Sequence, residues 1–493
     1  MADYDVIVIG AGNGGLTAAA TAQRGGLRTL LVERHNVPGG CATSFRRGRF
    51  EFEVALHQLS GVGYEDQPFS LRAGLFSQLG IGDKVEFIEE SELYRAVIPG
   101  GSDIVLPADW DGLIQTIEEH FPGNRANAEA FFDLVRTVAM WQVAAMRGMP
   151  ADDIDARLFT QGLRPLSEVL ADHFAEPELR NALAAYWAYL GDPPSSLPFQ
   201  DFALTFFAYV QFKPWHIRGG SQALSSAILD AFIEAGGEVL FNTGVERVFT
   251  ENGRVSGVQL DTGEQVSAPE VISNASPHAT FAMLGLTPDS VAHDMRTRTI
   301  GMSAFVLHMG LDATAAELGF TAATTFVNRD ADDERTFASW RTLEPTRAIC
   351  MSNYDVNPIG FSPPDTCHVS LVTLQSASAW DGIAPQDYAR TKFAYADTMI
   401  ELAERVVPGI RDVIEEVDVA TPMTMMRYLG QPDGAIYGYR QSATDSWLFR
   451  SRDLQDQVPG LSFAGAWEGF GGFQPTLESG ARAARRVLRG ARA

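Results

Sequence analysis

The chain opens on Val6-Ile-Val-Ile9, an unbroken apolar run rich in β-branched residues. A strand with no polar face is one covered on both sides, as in a parallel sheet. Gly10-Ala-Gly12-Asn13-Gly14-Gly15 follows at once. Leu16 to Arg24 is Ala-rich and predicts a helix that stops at Gly25-Gly26. Leu27 to Glu33 predicts the next strand. Further on, apolar residues recur at three- and four-residue spacing over Leu113–Phe121, Ala126–Met149 and Leu179–Leu190, predicting helices until Pro193, Pro194 and Pro198 break the pattern. A helix over Leu224–Ala235 and a strand over Glu238–Asn242 come next. The segments Val245–Thr250 and Val255–Asp261 flank Asn252-Gly253 as a β-hairpin, and another apolar run ends at Asn274-Ala275. Ala304–Met309, Val369–Thr373 and Val417–Thr421 read as strands and Tyr388–Val406 as a helix. Last come a buried strand, Leu461–Ala464, and a helix from about Pro475 to Leu488, with proline in its first turn.

The first of these units carries chemistry. Strand, G-x-G-x-x-G, helix, strand and a terminal acid stand in the order of a dinucleotide fingerprint, with Glu33 23 residues after Gly10. Gly10 permits the tight turn, Gly12 lets backbone approach a pyrophosphate, and Gly15 lets helix and strand pack closely. Asn13 and Gly14 complete the loop. The helix N-terminus offers unpaired N–H groups to phosphate, and Glu33 can accept from both ribose hydroxyls.

Composition narrows the field. Lys+Arg number 38 against 62 Asp+Glu, a net charge of −24, and no basic run offsets it. Such a surface repels nucleic-acid phosphates, so no nucleic-acid partner is expected. The three cysteines, Cys41, Cys350 and Cys367, are widely spaced, which suits neither a disulfide framework nor a metal site. No signal peptide and no apolar run of about 18 residues is visible, so the expectation is a cytoplasmic protein. The aromatic stretch from Trp187 to Trp215 is open to two readings: a packed helical core, or the lining of a greasy tunnel or membrane-facing entrance. A peripheral membrane contact therefore stays open.

Beyond the acid, Glu33-Arg34-His-Asn-Val-Pro-Gly39-Gly40-Cys41-Ala42-Thr43-Ser44 brings a second glycine pair. This string resembles the flavoprotein superfamily of amine oxidases and phytoene desaturases. Phe45–His57 is similar to the F-x-x-G-F-x-F-D-x-G-x-H segment of retinol saturases and carotenoid isomerases, with Glu53 for the family's Asp and Ala55 for its Gly. Thr421-Pro422…Arg427-Tyr428…Tyr437-Gly438 looks like their T-P-x-T…Y-G element. Gly465-Ala466-Trp-Glu468-Gly-Phe-Gly471-Gly472-Phe473 looks like the closing flavin turn, with the Gly-Ala of bacterial phytoene desaturases where many members have Gly-Asp.

The resemblance implies FAD as cofactor. It implies contacts from Arg34 and Gly39 to Thr43, from Val245 at the adenine end, from Asn274 and Ala275, and from the turn at Gly465, Ala466, Gly471, Gly472 and Phe473. It also implies the fold class. This is α/β, a Rossmann-like FAD-binding domain of the two-dinucleotide-binding-domain flavoprotein type, with an inserted α+β substrate domain. The FAD-binding part is expected over residues 1–105, 216–290 and 426–493, and the substrate part over 106–215 and 291–425. No second G-x-G-x-x-G occurs, which disfavours disulfide-reductase relatives.

The expected activity is hydride transfer at flavin N5 to or from a carbon–carbon bond of a lipophilic small-molecule substrate, isoprenoid or fatty-acyl, with oxygen, a quinone or a reduced carrier as open electron partners. A pocket for such a substrate calls for aromatics and methionines, and Met302, Met309, Met351, Met423, Met425 and Met426 are candidates. The catalytic candidates are Glu468, His57, Tyr437 and Arg427. Each has a bland alternative: a loop acid for Glu468, a structural hydrogen bond for His57, a surface ion pair for Arg427. A redox-neutral double-bond isomerase or hydratase remains an alternative. Amine oxidation is disfavoured because no lysine lies between Lys213 and Lys392; a non-catalytic flavin-binding protein is disfavoured by the intact cofactor motifs.

Overall fold

In the computed structural model, residues 2–146, 156–286, 295, 297–445 and 458–492 are described. The predicted helix end at residues 147–149 lies outside them, as do the expected domain edges at residues 290 and 291.

The N-terminal apolar run becomes the central strand Val6–Ile9 of a five-stranded sheet. Its neighbours are Thr29–Val32 and Glu270–Ser273, flanked by Glu238–Leu240 and Leu461–Phe463, and every pairing is parallel. Val6, Ile7 and Val8 are wholly buried, as a strand without a polar face must be. One face is covered by the helix Asn13–Arg24 and the C-terminal helix Phe473–Arg492, which cross at small residues. Thr17 donates its hydroxyl to the Leu477 carbonyl at 2.8 Å, and a Cβ built on Gly480 would lie 1.9 Å from the Gly14 carbonyl oxygen. The opposite face is covered by the hairpin layer Val245–Glu251, Arg254–Leu260 and Gln265–Ser267.

A seven-stranded sheet forms the second layer system. Its order is Ile414–Ala420, Ser303–Leu311, Cys367–Gln375, Ala348–Asn353, Thr324–Asn328, Glu92–Val97, Asp103–Pro107. Glu92–Val97 and Asp103–Pro107 were expected with the nucleotide-binding part, which was to run to residue 105. They belong instead to this sheet, through the parallel pairing of Thr325, Phe326 and Val327 with Arg95, Ala96 and Val97. Local pattern identifies a strand but not a partner more than 200 residues away.

Both faces of this sheet are apolar and serve different ends. Along Ser303–Leu311, Phe305, Leu307 and Met309 pack against Tyr395, Met399, Leu402 and Ala403 of the helix Tyr388–Glu404. Ala304, Val306 and His308 point the other way, into a cavity. The helices Trp110–His120, Arg125–Met146, Leu166–His173, Pro177–Ala184 and Phe199–Phe212 close that side. Within the aromatic stretch both readings hold, residue by residue: Phe202 and Phe206 are wholly buried core, whereas Phe207, Tyr209 and Phe212 line the cavity. Among the described residues no helix is long and apolar enough to cross a membrane.

Candidate active site

A cavity of about 1810 Å³ runs from the mouth of the five-stranded sheet to the inner face of the seven-stranded one. An ordinary ligand pocket holds about 300–1,000 Å³, so this one has room for a dinucleotide and a second molecule.

Its first arm is built from turns. Gly10, Gly12, Asn13 and Gly14 line it where strand passes into helix. Gly10 has φ +88°, in the left-handed region that favours glycine. The helix begins at Gly12 with no side-chain cap, so its first N–H groups are left for a ligand. Gly15 does not line the cavity; a Cβ there would sit 1.8 Å from the Gly10 carbonyl oxygen, so its part is helix–strand packing. Glu33 stands at the end of Thr29–Val32, accepting from Ala11 N–H at 2.6 Å and His35 N–H at 2.8 Å. Those bonds hold its carboxylate in the cavity wall.

The second glycine turn is tied to the first, with Gly39 N–H donating to the Ala11 carbonyl at 2.8 Å. Gly39, Gly40, Cys41, Ala42 and Thr43 all line the cavity, as do Asn274, Ala275, Gly465, Ala466, Gly471, Gly472 and Phe473. Arg34 also lines it and donates to the Tyr428 carbonyl at 2.7 Å. Burial pushes the Cys41 thiol up to about 11, so it is a neutral thiol at neutral pH.

Asn274 has a role that sequence reasoning missed. A Cβ on Gly12, Gly14 or Gly465 would each approach its side-chain amide to 2.6–2.7 Å. Three glycines from two distant motifs thus close around one side chain, which the resemblance had named as a cofactor contact but not as their common neighbour. Val245 does not line the cavity; it is half-buried against the apolar cluster under the hairpin layer.

The second arm is apolar. Ala188, Leu204, Phe207, Phe326, Val372 and Leu374 represent its wall. Of the six methionines expected there, only Met425 lines it. Met309 and Met351 face the helix behind the sheet, Met302 joins the helical core, Met423 packs behind the sheet and Met426 is exposed.

Three of the four catalytic candidates, His57, Tyr437 and Glu468, line the cavity. His57 stacks on Tyr189 with ring centroids 6.0 Å apart. Burial, aided by neighbouring His216, lowers its pKa to about 4, so the imidazole is neutral at pH 7. Behind it, His216 Nε2 lies 2.8 Å from the His57 carbonyl oxygen and 2.9 Å from the buried Glu90 carboxylate. Tyr437 packs against Gly471, where a Cβ would come within 2.5 Å of Tyr437 Cα; burial raises its pKa above the ordinary phenol value. Glu468 is half-buried in the turn after Gly465.

Arg427 is not part of the site. It lies exposed on the helix Pro422–Leu429 with its guanidinium over the Tyr428 ring, 5.7 Å from the centroid. Glu53, the departure from the retinol-saturase pattern, is likewise structural. Its buried carboxylate accepts from Ser221 N–H at 2.7 Å and Ser221 hydroxyl at 2.6 Å, tying the hairpin to the start of the helix Gly220–Glu234.

The fold and cavity define a dinucleotide-binding protein of α/β class in which one glycine-built cradle opens onto a large apolar chamber. The residues fit a flavin dinucleotide: the helix N-terminus is uncapped, the Asn13 side-chain oxygen is buried without a hydrogen-bond partner, and Glu33 is preset. Over residues 14–488 the chain matches the family model described as flavin containing amine oxidoreductase, and it belongs to that family. It is an FAD-dependent oxidoreductase.

Among characterised proteins, it is 24% identical to an all-trans-retinol 13,14-reductase from Danio rerio, covering 88% of this chain and 77% of that one. It is 24% identical to a chloroplastic prolycopene isomerase from Daucus carota, covering 94% and 76%. Among solved structures, cyclohexylamine oxidase from Brevibacterium oxydans superposes with a TM-score of 0.61 at 16% identity, over 100% of both chains. That likeness speaks for the fold.

Proposed function

We propose that the protein acts on a carbon–carbon bond of a lipophilic, isoprenoid or fatty-acyl substrate, as a desaturase or saturase. The observation that carries this reading is the continuity of the glycine-built cradle with an arm walled by Ala188, Leu204, Phe207, Phe326, Val372 and Leu374. A hydrocarbon chain gains about 25 cal/mol for each Å² it buries there.

Gly10, Gly12, Asn13, Gly14 and the helix behind them would hold the pyrophosphate, and Glu33 the ribose. The turns at Gly39–Thr43 and Gly465–Phe473, with Asn274 and Ala275, would hold the rest. Bound FAD supplies hydride exchange at its N5. The chain's own residues exclude water and orient the substrate chain; His57, Tyr437 and Glu468 are the groups in the wall able to move a proton. Oxygen, a quinone or a reduced carrier completes the electron balance.

Amine oxidation has less support. The three lysines are engaged elsewhere: Lys84 with Glu234, Lys213 with the Ala108 carbonyl and Lys392 with the Val419 carbonyl, and none lines the cavity. The prolycopene isomerase relative favours a second reading, a redox-neutral double-bond isomerisation.

The test incubates FAD-loaded protein under argon with polyenes, unsaturated fatty acids and primary amines, with the flavin oxidised or reduced beforehand, and weighs the products. A lipophilic product changed by two hydrogens supports the proposal. A product of unchanged mass moves the assignment to the isomerase, and a deaminated amine overturns both.

A further inference from the structure

The apolar arm contains a polar spot that a pure hydrocarbon would leave unsatisfied. Tyr189, on the short helix Trp187–Leu190, and His57, in the loop after the hairpin, lie side by side in the cavity wall. Among the described residues the Tyr189 hydroxyl meets the Cys350 thiol alone, 3.9 Å away, and a thiol is a weak partner. Among the described residues the His57 ring nitrogens have no hydrogen-bond partner; its carbonyl oxygen is the group that receives His216. The neighbouring phenol behaves differently: Tyr209 donates to the Gln58 carbonyl at 3.2 Å and is satisfied within the protein.

Water can serve Tyr189 and His57 while the arm is empty. A ligand that displaces this water must replace its bonds or lose affinity. A chain of carbon and hydrogen alone cannot replace them.

The charge around the spot narrows the class further. The groups that act most strongly on Tyr189 are Cys350, Tyr209, Tyr186 and Tyr437, all uncharged at neutral pH. The titratable group that acts on His57 is His216, whose ring is already engaged with the Glu90 carboxylate. The arginines of the cavity wall are placed elsewhere: Arg34 on the Tyr428 carbonyl, Arg47 on Asp418, and Arg482, Arg485, Arg486 and Arg489 on the C-terminal helix. Among the described residues no cation stands at Tyr189 and His57, so a carboxylate there would be buried without a counter-charge, which is costly.

Resting on the function proposed above, we infer that the substrate carries a neutral oxygen, a hydroxyl or a carbonyl, that hydrogen-bonds to Tyr189 and His57 within the apolar arm. The geometry thereby separates oxygenated isoprenoids from pure hydrocarbons as substrates. Tyr189 and His57 become specificity-determining residues.

The experiment measures binding to the FAD-loaded protein through the change in flavin absorbance and fluorescence. The probes are a matched C20 isoprenoid set: geranylgeraniol, its aldehyde, the carboxylic acid and the hydrocarbon lacking oxygen. They are tested at pH 8 on the wild type, Tyr189→Phe and His57→Phe. The expected result is that the alcohol or the aldehyde binds about ten- to a hundredfold more tightly than the hydrocarbon, as one or two recovered hydrogen bonds would give. Whichever of the two binds better identifies the oxygen as hydroxyl or carbonyl. Tyr189→Phe should shrink that preference to within about threefold while leaving hydrocarbon binding unchanged. Equal binding of alcohol, aldehyde and hydrocarbon to the wild type overturns the inference and leaves the lipophilic reading standing. So does a preference that survives both substitutions, or tightest binding by the acid. Failure of every isoprenoid to bind removes the isoprenoid reading and the inference with it.

Discussion

Gly480 joins the two motifs of the cofactor arm, and replacing it with alanine tests that joint. A Cβ there would lie 1.9 Å from the Gly14 carbonyl oxygen and 2.3 Å from the Thr17 hydroxyl oxygen. Relief to ordinary contact requires the two helices to separate by about 1.5 Å, and such a gap forfeits much of their dispersion contact. Overpacking of this kind costs about 1–3 kcal/mol, and losing the bond from Thr17 to the Leu477 carbonyl adds about 1 kcal/mol.

At about 2.1 cal/mol/K of unfolding entropy per residue, each kcal/mol shifts Tm of a chain of this size by about 1 °C, so Gly480→Ala should melt about 2–4 °C lower. It should also lose flavin, because the shifted helix carries the Gly471–Phe473 turn at its start. The control sits in the same helix: a Cβ on Gly490 meets nothing within 4 Å. Gly490→Ala should be neutral or stabilise by up to about 1 kcal/mol through helix propensity, with flavin retained. Differential scanning fluorimetry and flavin absorbance after desalting read both quantities. A Gly480→Ala protein with wild-type Tm and full flavin content would refute the reasoning.

Three further outcomes follow from the geometry. Glu33→Ala removes the acceptor for Ala11 and His35 N–H and should weaken FAD binding at least about tenfold by titration of the apoprotein; unchanged affinity would remove Glu33 from the cradle. Arg427→Ala should leave flavin content, flavin potential and turnover unaltered and stability within about 0.5 kcal/mol, since the side chain is exposed; a shifted potential would return it to the site. Acid should destabilise the fold through buried neutral histidines. His308 is lowered to about 3 by burial, below the unfolded value, so the unfolded chain binds more protons as pH falls below about 6.5 and stability drops with it until pH nears 3. At pH 5 His308 costs about 2 kcal/mol, and His308→Gln should lose less Tm between pH 7.5 and 5 than the wild type; equal losses would contradict the burial argument.

Much of the cofactor arm was legible because its chemistry is local in sequence. A turn that must bend at Gly10, admit backbone at Gly12 and end at an acid leaves its mark within thirty residues. The apolar arm was not legible in the same way. In Ser303–Leu311 every side chain is buried, so alternation does not say which half packs on a helix and which half lines a cavity. Met309 was misplaced for that reason, and Met351 likewise on Ala348–Asn353, which is buried over nearly its whole length. Arg427 was drawn into the candidate list by the likeness of its segment to the family element, which does not say that the helix Pro422–Leu429 turns this side chain outward. The pairing of Thr324–Asn328 with Glu92–Val97 is fixed by tertiary packing alone. The position of Asn274 against Gly12, Gly14 and Gly465 likewise needs three segments in place at once.

The central claim is that the cofactor cradle and the apolar arm form one reacting site. Ala188 lines that arm, and Ala188→Trp should fill it without touching the cradle. The decisive measurement is single-turnover flavin reduction or reoxidation under argon, starting from oxidised and from pre-reduced flavin, in wild type and Ala188→Trp, with lipophilic alkenes and with amines. Full flavin content is expected in both proteins, with bleaching of the oxidised or reoxidation of the reduced wild type by one lipophilic class and a loss of at least about a hundredfold in that rate in the variant. Bleaching by an amine, or an Ala188→Trp protein that reacts with the lipophilic class at the wild-type rate, would contradict it.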